Sequence, residues 1–133
     1  MRRVKRVISA GVVMTMLMVT ILMVHLWSTD ACAGEFDVYP RKGQVTLIDL
    51  GAGSCIPCKM MAPILERVKK RYEGRAEVVY IDLRYHRDQV QRFQVRAIPT
   101  QVFYDAEGKE VYRHVGFMDE AAIVRQFEKM GVK

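Results

Sequence analysis

Cys55 and Cys58, three positions apart, are the residues of this chain best suited to chemistry. Such a pair can close as a disulfide, open as a dithiol or share a metal ion. Which of these is expected depends on where the pair sits. Cys55 follows an apolar run, Gln44 to Leu50, that is closed by Gly51-Ala52-Gly53. It precedes a stretch in which Met61, Leu65, Val68 and Tyr72 recur at spacings of three and four. The run reads as a buried strand and the stretch as an amphipathic helix ending near Gly74, bent at Pro63. Cys55 therefore opens a helix. The unpaired N–H groups and partial positive charge there favour a thiolate, and cysteines so placed titrate at roughly 3.5 to 7.5 instead of about 8.5. Cys55 is the expected nucleophile. Cys58, one turn further on, is the expected resolving thiol. Pro57 removes only a hydrogen bond that an early helical position lacks anyway, and it stiffens the Ile56-Pro57 link that tunes the pair.

On the four letters alone, a structural pair or half of a zinc site explains a CxxC equally well. A zinc site needs two further ligands, and His86 and His114 stand alone in the sequence. The strand-to-helix placement favours redox chemistry, and no metal is expected.

The elements that must position the pair follow in order. Ala76 to Leu83 is a second apolar strand, and two strands joined by such a helix form a right-handed parallel unit. A short helix is predicted over Asp88 to Gln94, with Val90 and Phe93 inward. Gln101 to Tyr104, a turn at Asp105 to Lys109 and Glu110 to Val115 read as an antiparallel hairpin. Gly116 precedes a last helix, Met118 to Met130, with Ile123, Phe127 and Met130 on one stripe. The order is β-α-β-α-β-β-α, one domain over residues 44–133 behind a short lead at 34–43 that reads as extended from Glu35 to Pro40 and as a turn at Arg41-Lys42-Gly43. With 133 residues, 50% hydrophobic and 27% charged, the chain is neither disordered nor large enough for two domains. Its net charge of +6 is concentrated in Arg2, Arg3, Lys5 and Arg6, so no nucleic-acid partner is expected.

Those basic residues open a leader over residues 1–33. Residues 7–27 carry no Asp, Glu, Lys or Arg, and Ala31-Cys32-Ala33 follows. This is the order of a signal peptide, with cleavage expected after Ala33. Two alternatives stay open: an uncleaved membrane anchor through residues 7–27, or lipidation at Cys32, which Thr29 and Asp30 suit poorly. In each case the remainder lies outside the cytoplasm, in a bacterial periplasm or held at the inner membrane. Cleavage would leave Cys55 and Cys58 as the only cysteines.

Residues 44 to 131 resemble the thioredoxin family. The stretch Cys55-Ile56-Pro57-Cys58-Lys59-Met60-Met61-Ala62-Pro63-Ile64-Leu65 is similar to the family's active-site helix, and Ile98-Pro99-Thr100 is similar to its Ile-Pro-Thr loop. The resemblance implies an α/β thioredoxin-like fold near its minimum, with a four-stranded mixed sheet and about three flanking helices. The family's N-terminal strand and helix would then be missing. It also implies a cis bond at Pro99, beside the disulfide, where the loop offers a backbone edge to an extended substrate. Ile98, Pro99, Thr100 and Gly116 are the substrate-binding residues it implies. Asp49, six residues before Cys55, matches the buried acid that moves a proton at the resolving cysteine. A carboxyl in an apolar strand should have a raised pKa, which suits that work. The chain departs from the family at Ser54 and Gly51, where aromatic residues are usual, and at Val78, read as the position of a lysine near the acid.

The resemblance implies a thiol-disulfide oxidoreductase whose only redox group is the Cys55–Cys58 disulfide, with no added cofactor. Ile56-Pro57 lacks the histidine of the oxidases, so a reductase is expected. It would be a monomer acting on protein disulfides and drawing electrons from a transmembrane dithiol donor. Its rivals are an oxidase or isomerase of the same fold and a non-catalytic copper chaperone that uses the cysteine pair.

Overall fold

The computed structural model describes Met14, residues 16–20 and residues 34–133. Met14 and residues 16–20 are helical. Cys32, Trp27, the cleavage position and most of residues 7–27 lie outside the described residues. Among those described, no helix is long and apolar enough to cross a membrane.

Strand β1, Val45–Gly51, is central to the sheet and almost wholly buried. A continuous apolar run is what a strand covered on both faces requires. It pairs in parallel with β2, Ala76–Asp82, and antiparallel with β3, Thr100–Tyr104. The latter pairs antiparallel with β4, Glu110–Val115, giving the order β2-β1-β3-β4. Three helices complete residues 36–133: α1, Ile56–Arg71; α2, Asp88–Arg92; and α3, Glu120–Lys129. This is the α/β thioredoxin-like arrangement, and among the described residues no strand precedes β1.

Alternation along the strands divides the core. Leu47, Val78 and Phe103 face Met61, Leu65 and Val68 of α1, Tyr72 at its end, and Ile123 and Phe127 of α3. Ile48, Leu50, Val79, Ile81 and Val102 face the other way, onto Phe93. Helix α1 runs unbroken through Pro63, which lies on its exposed side. Helix α3 is capped by Asp119, whose carboxylate accepts from the Ala122 N–H at 2.7 Å.

Two sequence expectations are corrected. Glu35 to Pro40 is not extended: residues 35–38 form a turn in which the Tyr39 N–H donates to the Phe36 carbonyl at 3.1 Å, while residues 42 and 43 form the turn expected there. The inward residues of α2 also differ, since Gln89 is buried, Val90 only half-buried, and Phe93 packs inward from just beyond the helix end. The cause of both is Arg92. Its guanidinium donates to the carbonyls of Phe36 at 2.6 Å, Asp37 at 3.1 Å and Tyr39 at 2.5 Å, and to Gln89 Oε1 at 3.0 Å. Gln89 turns inward to serve the same clamp that folds the lead onto α2.

Candidate active site

The C-terminal ends of β1, β2 and β4 and the start of β3 lie at one end of the sheet. The loop from Ala52 to Ser54 leaves β1 there and delivers Cys55 to the start of α1. Cys55 is the N-cap: its backbone is extended (φ −82°, ψ 125°) and its Sγ accepts from the Cys58 N–H at 3.3 Å. A helix N–H therefore points at the sulfur, the arrangement that stabilises a thiolate once the bond is reduced. Cys55 and Cys58 are joined, with Cα atoms 5.2 Å apart. Cys55 is half-buried, whereas Cys58 is 3% exposed. Between them Pro57 is half-buried and Ile56 is 74% exposed.

The loop is pinned from β2. Asp82, the last residue of that strand, accepts from the Gly53 N–H at 3.2 Å and from the Arg84 guanidinium at 2.6 and 3.0 Å. The Arg84 hydrogen bond holds the Asp82 carboxyl down at about 2. Gly51 leaves room for the inner sulfur. A Cβ there would lie 3.2 Å from Cys58 Sγ and 3.1 Å from the Tyr80 ring, so the aromatic side chain usual at this position has no space here.

Asp49 lies two residues before Gly51, on the same face of β1 and one pleat deeper under the helix. It is 0% exposed. Burial pushes its carboxyl up to about 6, with a hydrogen bond from Gln101 acting the other way. That bond runs from Gln101 Nε2 to Asp49 Oδ1 at 2.7 Å.

The register shows what β2 places beside the acid. Val78 pairs with Leu47 and belongs to the apolar core, whereas the residue opposite Asp49 is Tyr80. Tyr80 is 41% exposed. Its phenol is shifted upward by partial burial and by the charges of Asp82 and Asp49. Gln101 pairs with Asp49 on the other side and with His114 beyond it. Tyr80, Asp49, Gln101 and His114 thus form one row across all four strands, on the face that carries α1 and α3.

The loops predicted to meet substrate are at the same end. The Ile98–Pro99 bond is cis, Pro99 is buried and Ile98 is exposed. Thr100 Oγ1 donates to the Ala97 carbonyl at 2.6 Å. The Gly116 N–H donates to the Pro99 carbonyl at 2.8 Å, tying the two loops together. Gly116 has φ +103°, and a Cβ there would meet nothing within 4 Å, so its backbone conformation alone calls for glycine. Sequence reasoning passed over Gln101, Tyr80 and the Asp82–Arg84 pair. The alternation that places Phe103 inward places Gln101 inward too, which was the available signal for one of them.

These features are those of a thioredoxin-fold redox protein. The family model described as Thioredoxin matches residues 29–129. The thioredoxin of Staphylococcus aureus is 34% identical over 101 residues, which cover 76% of this chain and 92% of that protein. Two solved structures share the fold. The pneumococcal exposed lipoprotein thioredoxin of Streptococcus pneumoniae has a TM-score of 0.60 at 22% identity, over 66% of this chain and 86% of that one. A malarial protein has a TM-score of 0.61 at 20% identity, over 65% and 97%. The chain belongs to the thioredoxin family, and its Cys55–Cys58 pair is the CxxC centre of a thiol-disulfide oxidoreductase.

Proposed function

We propose that the protein works outside the cytoplasm as a reductase of protein disulfides. The observation that carries this reading is the unequal exposure of the two sulfurs beside a strand that holds a buried acid: Cys55 is half-buried, Cys58 is 3% exposed against Gly51, and Asp49 is buried two residues before that glycine on the same face. In the reduced protein the Cys55 thiolate attacks one sulfur of a client disulfide, and the other client sulfur leaves as a thiolate that takes a proton from water. Cys58 passes its proton to the Asp49 carboxylate and attacks Cys55 Sγ. The bond from Cys55 to the client breaks, the second client sulfur leaves with the proton from Asp49, and Cys55–Cys58 is restored. Two electrons have moved from the dithiol to the client, and a transmembrane dithiol donor returns them. No group beyond the disulfide is needed. Ile98, Pro99, Thr100 and Gly116 receive the client chain, and Ile56 and Pro57 tune the pair.

Export is supported by the leader, with residues 1–33 preceding a short lead and the domain at 44–133. The pneumococcal relative of the same fold is described as an exposed lipoprotein, which agrees with this. Cys58→Ser tests the role of each sulfur: it should accumulate disulfide-linked adducts on Cys55 that dithiothreitol releases, and a variant free of adducts contradicts the assignment. The measured potential tests direction. A value near about −270 mV is expected, and one near about −120 mV would make the protein an oxidase.

A further inference from the structure

Gln101 is 0% exposed in the middle of an apolar strand, in register with Asp49. A buried carboxamide is costly unless its polar atoms are bonded, and this one has a single bond, to Asp49. Each group has one oxygen left over. Among the described residues, Asp49 Oδ2 and Gln101 Oε1 are both buried without a hydrogen-bond partner. Both atoms are acceptors, so the site lacks a hydrogen, and a proton on the carboxyl would supply it.

We propose that Gln101 is a positioning residue for proton transfer at Cys58, holding the Asp49 carboxyl through Nε2 when it is ionised and accepting its O–H at Oε1 when it is protonated. This rests on the reading of Asp49 as the base of the dithiol. With both hydrogen bonds available, the carboxyl keeps one orientation while it gains and loses its proton. The bond to the ionised form is charge-assisted and the stronger of the two. Removing the carboxamide therefore leaves the carboxyl holding its proton more tightly.

The remaining groups facing Asp49 are accounted for. Tyr80 stands opposite from β2, Cys58 of α1 lies against Gly51 two residues along β1, and His114 lies beyond Gln101 on β4. Asp82 and Arg84, at the end of β2, are paired with each other. Helix α3 presents Ile123 and Phe127 to the core on this face. Gln101 supplies the only hydrogen-bond donor to the Asp49 carboxyl among the described residues.

The test replaces Gln101 with Met, which keeps the length and removes both polar atoms, and follows the Asp49 carboxyl carbon by NMR in the oxidised protein as pH is raised. The midpoint should move up by about one unit, a tenfold change in proton affinity. The rising limb of client reduction against pH should move with it. Gln101→Glu, with two carboxyls sharing the site, should raise the higher midpoint further, and it serves as the second variant if the Met form does not fold. A midpoint that stays put or falls overturns the proposal. If Asp49→Asn leaves turnover unchanged at every pH, the reading of Asp49 as base fails instead, while the NMR midpoint still decides what Gln101 does to the carboxyl.

Discussion

Asp49 binds its proton more tightly in the folded chain than in an unfolded one, because burial raises its carboxyl from 3.8 to about 6. The folded state therefore holds more of this proton between those values. Its contribution to stability is full below pH 4, declines as pH rises through that window and levels off above it. The difference is about 3 kcal/mol. Urea unfolding of the oxidised protein from pH 4 to 7 should show this decline, and Asp49→Asn should abolish most of it and be the more stable form at pH 7. A wild-type profile flat across the window would mean that the carboxyl is not buried as described. The cysteine pair was legible as residue types at fixed spacing, and Asp49 only through the resemblance of its strand to the family's. Gln101 and Tyr80 were not, because their importance comes from standing opposite Asp49 on other strands, and a single sequence does not display cross-strand register.

The five-residue helix α2 is too short to hold itself together, and most of its anchoring is one side chain. The Arg92 guanidinium serves three lead carbonyls and the Gln89 amide. Arg92→Ala should cost roughly 1 to 3 kcal/mol, as charged donors to half-buried acceptors do. It should also open residues 36–40 to proteolysis ahead of the rest of the domain, with thermal melting and timed digestion as the readouts. The long elements were readable because their apolar periods are clear: β1, α1 and β2 begin and end within about three residues of where the pattern places them. The segment Glu35 to Pro40 and the inward positions of α2 were misread for the opposite reason, although α2 itself lies where the sequence places it. Their conformation is imposed by a long-range hydrogen-bonding cation, which leaves no periodicity in the letters.

At the scale of the molecule, the sheet separates two tasks. Its middle rows hold an apolar core, and one end gathers the disulfide, the cis-Pro99 loop and Gly116. The parallel pair and the hairpin were visible in outline, whereas the placement of β3 beside β1, which brings the cis-Pro99 loop to the disulfide, was not. Tryptophan fluorescence tests the proposed cleavage after Ala33. Trp27 is the only tryptophan in the chain. Protein recovered from outside the cytoplasm after cleavage at Ala33 should show tyrosine emission alone, and tryptophan emission would mean that the leader is retained.

The shielding of the inner sulfur has a protective side. Peroxide reaching the reduced protein from solvent meets the outer thiolate first and leaves it as a sulfenic acid. The neighbour below can condense with that group, expelling water and closing the ring before oxidation proceeds to an irreversible acid. An oxidative burst would thus leave the protein awaiting electrons, with its centre intact.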